Sequence, residues 1–249
     1  MISRVQLGTS RLEQLDPKVL SVFLNKTWIH FGETKEHDLT HGGGSGYSIT
    51  DIFKKYSLSY IVKRSFARVF GKKQSKLSDK QANELYQQTN FEGFNYKKGD
   101  KLPFDDNSIN FIYSEHFFEH LFLDEASALL KECYRILTPH GVIRTCVPDA
   151  DLRTYLPPEP VGFPDTKLAF DHPSKHKTRW SVYSFEEVLK FNGYKPVSLY
   201  YCDKFGKHFS IDPIEVKQQY EGSTDQEMIL SLSCVQRLNS LIIDGVKTL

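Results

Sequence analysis

Residues 109–114, Ile-Asn-Phe-Ile-Tyr-Ser, form an almost unbroken run of strand-forming apolar residues. Such a run suits a β-strand covered on both faces, the environment of a parallel sheet with helices packed on each side. A helical pattern at 124–137 follows and is stopped by Pro139, and a second apolar run opens at Gly141 and ends at Val147 (GVIRTCV). Strand, helix and strand in this order call for a right-handed parallel crossover, so the chain is expected to be of the α/β class.

The remaining segments extend that pattern in both directions. Leu12, Leu15, Val19, Leu20 and Phe23 recur at helical spacing over 11–25, and TWIHF (27–31), ended by Gly32, reads as the first strand. A strand at 91–96 precedes a Pro-Phe-Asp-Asp turn. After a Pro-rich loop at 156–173, Ser184 with Glu187 three residues on gives the capping-box pattern for a helix at 184–192, closed by Gly193. Strands at 197–202 and about 229–247 finish the chain. Residues 33–90 fit no compact α/β pattern: a glycine loop, HGGGSG (41–46), precedes expected helices at 49–70 and 78–88. They are read as a helical insertion or lid within one domain spanning 1–249.

Charge excludes some functions. With 32 Lys+Arg against 31 Asp+Glu the net charge is +1, so no global field draws the chain to nucleic acid or an anionic membrane. No apolar run reaches the roughly 18 residues of a membrane-spanning helix. Cys133, Cys146, Cys202 and Cys234 stand far apart with no CxxC pair, as reduced thiols of a cytoplasmic protein do. The local exception to charge balance is 54–76, where Lys54, Lys55, Lys63, Arg64, Arg68, Lys72, Lys73 and Lys76 occur without an acid. This stretch reads either as a solvated helix face or as a lid over an anionic ligand.

Four pieces stand in a fixed order: LPFDDNSINFIYSEHFFEHL (102–121), LLKECYRILTPHGVIRTCVPD (129–149), HKTRWSVYSFEEVLKFNGYKPV (176–197) and RLNSLIIDGVK (237–247). Together they resemble class I S-adenosylmethionine-dependent methyltransferases, in the branch with an LPF-turn, an S-x-H-x-x-E-H element and an E-x-x-R-x-L-x-P-x-G stretch. The resemblance covers 91–247 and, more faintly, 27–32. It implies a Rossmann-like sheet of seven mostly parallel strands with the last antiparallel, S-adenosylmethionine as cofactor, and methyl transfer to an oxygen or nitrogen of a small molecule or glycan.

By that resemblance the cofactor would lie against Phe31, Gly32, Glu33, Asn95, Asp100 and Ser114. Gly32-Glu33-Thr34 stands where the family has G-x-G, and Asn95 or Asp100 near its adenine-binding acid. His116 or Glu115 would remove the acceptor proton, with Asp149 at the pocket rim or capping the next helix. His172, His176 and Arg179 would belong to the substrate loop. No metal is assigned.

Two other readings stay open. A protein of this fold that no longer transfers methyl groups would also accommodate the departures from the cofactor motif. His116-Phe117-Phe118-Glu119-His120 matches the H-x-x-E-H order of inverted zinc peptidases, in which two histidines one helical turn apart share a metal, with His172 or His176 as the available third ligand. A serine hydrolase is not expected, because HGGGSG is accompanied by no G-x-S-x-G elbow.

Overall fold

The computed structural model describes residues 2–8, 23, 26–32, 90–152, 176–233 and 240–248. Their strands are β1 (Arg4–Leu7), β2 (Trp28–Gly32), β3 (Asn90–Gly93), β4 (Ile109–Glu115), β5 (Leu137–Pro148), β6 (Tyr194–Cys202), β7 (His208–Ser210) and β8 (Ser240–Lys247). The helices are α1 (Leu123–Ile136), α2 (Val182–Phe191), α3 (Pro213–Gln219) and α4 (Gln226–Ser233), with a 3-10 turn at Phe118–His120. The strands make one eight-stranded sheet in the order β3-β2-β1-β4-β5-β8-β6-β7. β3, β2, β1, β4 and β5 pair in parallel, while β8 runs antiparallel between β5 and β6, and β7 antiparallel along β6.

The α/β class, the mostly parallel sheet and the antiparallel final strand agree with the sequence reading. Several elements differ from it. TWIHF belongs to the second strand; the first is Arg4–Leu7, which pairs with both β2 and β4. The strand count is eight instead of seven, because the chain turns back after β6 to add β7. The segment expected to be extended from about 229 is helical through Ser233, and the strand begins at Ser240. Helix α2 starts earlier than expected: Ser181 is its cap, accepting from the Ser184 amide, and Ser184 occupies the third helical position. The expected helix at 11–25, apart from Phe23, and the insertion at 33–90, apart from Asn90 in β3, lie outside the described residues.

Both faces of the sheet are covered. α1 turns Ala126, Leu129, Leu130, Cys133 and Ile136 inward, the stripe that helical periodicity dictates. They pack with Val182, Phe185 and Leu189 of α2 against Val5, Leu7, Ile29, Ile112 and Ile143. On the other face Phe111, Tyr113, Val142 and Cys146 meet Val216, Tyr220 and Ile229. The E-x-x-R pair of α1 fixes the LPF-turn: Glu132 accepts from the Leu102 amide at 2.8 Å, and Arg135 donates to the Phe104 carbonyl at 2.9 Å and to Asp106 at 2.6 Å.

Across the β5–β8 seam a buried ion pair joins register partners. Arg144 donates to both carboxylate oxygens of Asp244, at 2.8 and 2.7 Å, and to the Ile229 carbonyl of α4 at 3.0 Å. The Tyr220 hydroxyl also donates to Asp244. Burial alone would lower the Arg144 pKa, but the adjacent carboxylate outweighs it and keeps the guanidinium charged. Asp244→Ala leaves that charge buried without its partner, and urea unfolding should show a loss of about 3–5 kcal/mol. The double variant Arg144→Met with Asp244→Leu should recover most of it.

A second buried polar contact joins β1 to β2, where His30 Nδ1 stands 2.6 Å from the side-chain oxygen of its register partner Gln6. Burial pushes the His30 pKa down from 6.5 to about 4, opposed in part by a hydrogen bond to the Phe23 backbone. The unfolded chain therefore takes up this proton first, and stability is full above pH 6.5 and declines toward pH 4. Urea unfolding across that range should show a decline of about 3 kcal/mol that is absent in His30→Gln.

Candidate active site

In open parallel sheets, ligands bind beyond the carboxyl ends of the strands where the strand order reverses. Here the reversal lies between β1 and β4, since the order runs β3-β2-β1 to one side and β4-β5 to the other. Leu7 and Ser114 are register partners across that seam, and Leu7 also pairs with Phe31. Three backbone bonds extend the ladder past the strand ends: Gly8 N to Phe31 O at 2.9 Å, Phe94 N to Gly32 O at 2.8 Å and His116 N to Cys146 O at 2.8 Å. Gly8, Gly32, Ser114, Glu115 and His116 are thereby set along one edge.

Gly8 was not singled out by the sequence reading, which placed the G-x-G position at Gly32-Glu33-Thr34. With β1 at Arg4–Leu7, the first strand instead gives way to Gly8, and Gly32 ends the second strand. Gly8 has φ of +73°, and a Cβ there would stand 2.5 Å from the Cβ of Phe117. Only glycine permits this turn and this approach.

Ser114 is 1% exposed, and its hydroxyl has no hydrogen-bond partner among the described residues. Glu115 accepts from the Tyr113 hydroxyl at 3.1 Å. His116 has φ of +50°, which ends the strand and swings the ring outward. Its side chain is 42% exposed, and its Nδ1 lies 3.0 Å from the almost fully buried Glu119. Burial alone would raise the Glu119 pKa, but the hydrogen bond and charge of His116, with the charge of His120, hold it below the ordinary carboxylate range. An ionised carboxylate accepts, so the proton between the two groups lies on His116 Nδ1.

An aromatic layer adjoins this edge. Phe31 packs on Phe94 with centroids 5.2 Å apart and edge-on to Phe104 at 6.0 Å, and Phe94 meets Phe117 at 6.3 Å. Asn95 is exposed just past β3, and Asp100 accepts from the Lys97 amide at 2.8 Å in an exposed turn. Asp149 is enclosed instead of lining an open rim. It accepts from the Cys202 amide at 2.7 Å and the Asp151 amide at 3.0 Å, and burial raises its pKa. It ties β6 to the end of β5.

The strap at 176–180 lies against the residues after β4. The Lys177 and Thr178 amides donate to the Glu119 carbonyl at 2.7 and 3.2 Å, and the Thr178 hydroxyl lies 3.1 Å from the Phe118 carbonyl. His176 is thus brought to His120, with ring centroids 4.8 Å apart, and Arg179 is exposed beside it. Glu33 and His172 lie outside the described residues. His116 and His120 do not share a helix, because the segment after β4 makes only a 3-10 turn.

Comparison with known proteins bears on this edge. Residues 42–145, from the glycine loop into β5, match the family model described as a methyltransferase domain. In that stretch the chain is similar to a methyltransferase domain. Such a domain implies S-adenosylmethionine as cofactor and a transferase activity. No curated protein matches the sequence. Among solved structures, a putative methyltransferase in complex with the Haloferax volcanii Trm112 methyltransferase activator is 17% identical with a TM-score of 0.46, covering 100% of this chain and 83% of its own. A SAM-dependent methyltransferase from Aquifex aeolicus is 12% identical with a TM-score of 0.44, covering 98% and 81%. A possible histamine N-methyltransferase from Thermotoga maritima is 13% identical with a TM-score of 0.44, covering 99% and 82%.

This edge depends on how closely its two loops approach. Gly8→Ala adds both left-handed strain and the clash with Phe117, and thermal and urea unfolding should show a loss of about 2–4 kcal/mol. Gly99→Ala, at φ of +95° with nothing within 4 Å of its Cβ, carries only the backbone strain and should lose about 1–2 kcal/mol.

Proposed function

We propose that this chain is a methyltransferase that moves the methyl group of S-adenosylmethionine to an oxygen or nitrogen of a small molecule or glycan. The observation that carries the reading is the His116–Glu119 pair, held at 3.0 Å at the carboxyl end of β4, beside the β1–β4 seam. Bound there, S-adenosylmethionine supplies an electrophilic methyl group on a sulfonium. The residues present fit such a group: Gly8 brings bare backbone to the seam, and Ser114 holds a buried hydroxyl in need of a partner.

In this reading Phe31, Gly32, Glu33, Asn95, Asp100 and Ser114 hold the cofactor. His116 takes the acceptor proton on Nε2, and Glu119 fixes its tautomer and offsets the imidazolium charge. Glu115 borders the acceptor, while Asp149 serves by anchoring the strand ends. His172, His176 and Arg179 contact the acceptor. Residues 33–90 form a lid within one domain, and the basic run 54–76 favours an anionic acceptor. A cytoplasmic setting accords with the buried thiols of Cys133 and Cys202, and no helix among the described residues is long and apolar enough to cross a membrane.

Calorimetric titration with S-adenosylhomocysteine tests the cofactor site, and transfer of labelled methyl groups into pools of hydroxylated and aminated acceptors tests the reaction. The expected result is stoichiometric binding that weakens in Ser114→Ala, with transfer lost in His116→Ala while product affinity stays within about threefold. No heat and no melting shift at millimolar ligand would refute the reading.

A further inference from the structure

We infer that Glu119, His120 and His176 form a binding site for a divalent transition metal, with zinc the ion their chemistry favours. One carboxylate oxygen and one ring nitrogen from each histidine all lie within 4.8 Å of one another. A tetrahedral zinc ion with bonds of about 2.0–2.1 Å sets its ligand atoms about 3.3 Å apart. Small side-chain rotations close that difference. Two imidazoles and one carboxylate make a borderline donor set suited to zinc, whereas magnesium and calcium select oxygen ligands.

Three further observations point to an ion. Glu119 is almost wholly buried; its Oε1 is engaged by His116, while its Oε2 has no hydrogen-bond partner among the described residues. A buried carboxylate oxygen left in that condition is costly, and a bound cation removes the penalty. The two imidazole rings also meet nearly at right angles, 84°, with centroids 4.8 Å apart. Finally, the backbone fixes the geometry. Lys177 N and Thr178 N both bond the Glu119 carbonyl, so the residue just before them cannot drift from the residue just after Glu119.

The ligand set differs from the H-x-x-E-H spacing. His116 is committed to Glu119 through Nδ1, and the second histidine comes from the strap 56 positions beyond His120. Glu119 thus faces two ways, orienting His116 with one oxygen and binding metal with the other. His120 and His176 are half-buried and His116 is exposed. The metal would fasten the strap 176–180 to the end of β4. Glu119 and His176 also belong to the proposed transfer site, so zinc binding is read by metal content and melting temperature, separately from methyl transfer.

The test measures zinc bound to the intact chain after dialysis, by elemental analysis, together with the melting temperature with and without zinc. We expect one equivalent per chain, a higher melting temperature with zinc, and an affinity lower by at least about 100-fold in His176→Ala and His120→Ala. Cobalt should give a visible ligand-field spectrum without the charge-transfer bands that a thiolate ligand would add. His176→Cys keeps a donor and should restore binding, now with those bands. His176 stands on a strap held by backbone bonds of its neighbours, so its alanine variant should keep the circular dichroism of the parent and decide the matter even if His120→Ala fails to fold. No stoichiometric zinc in the parent, or zinc affinity unchanged in His176→Ala, overturns the site. Loss of zinc in His116→Ala with retention in His176→Ala overturns it equally.

Discussion

The fold turns on one enclosed ion pair. Arg144 and Asp244 are register partners on β5 and β8, and the guanidinium reaches on to the Ile229 carbonyl while Tyr220 closes on the same carboxylate. A charge with no access to water needs every partner in place, so these contacts admit one antiparallel register and one seat for α3 and α4. A slip of β8 by one residue would reverse which of its side chains face inward and leave Arg144 without its carboxylate. Because β5 also pairs with β4, the same pair fixes the strand whose end carries His116.

Function at the opposite seam follows from topology before chemistry. The order reversal between β1 and β4 opens the crevice, and glycine at position 8 lets the loop after β1 approach Phe117. His116 then owes its outward ring to a left-handed backbone, and its usable nitrogen to Glu119. The edge combines a main-chain cradle, a buried hydroxyl and an oriented imidazole, each supplied by a different crossing of the sheet.

Much of this was legible in the residues. INFIYS and GVIRTCV read as buried strands because both faces demand apolar side chains, and α1 read as a helix because its stripe is regular. β1 escaped notice because RVQL is short and hides a polar residue in its middle; Gln6 is tolerated there only because His30, far along the chain, faces it. MILSLS at 228–233 is apolar without a decisive period, so it read as strand where the structure has helix. Ser184 with Glu187 matched the capping-box pattern, but Ser181 is the cap, with Val182 and Phe185 of the first turns buried in the core. The grouping of Glu119 with His176 depends on the strap's backbone bonds, which local spacing does not encode.

The place of β8 sets an order for assembly. It follows β6 and β7 along the chain yet lies between β5 and β6 in the sheet. During synthesis every other strand emerges while one edge of β5 is still bare, with the arginine at its centre lacking its counter-ion. An emerging chain can shape the parallel half early, but the halves cannot be joined until 240–247 have left the ribosome. Throughout that interval the open edge of β5 is a template for foreign strands.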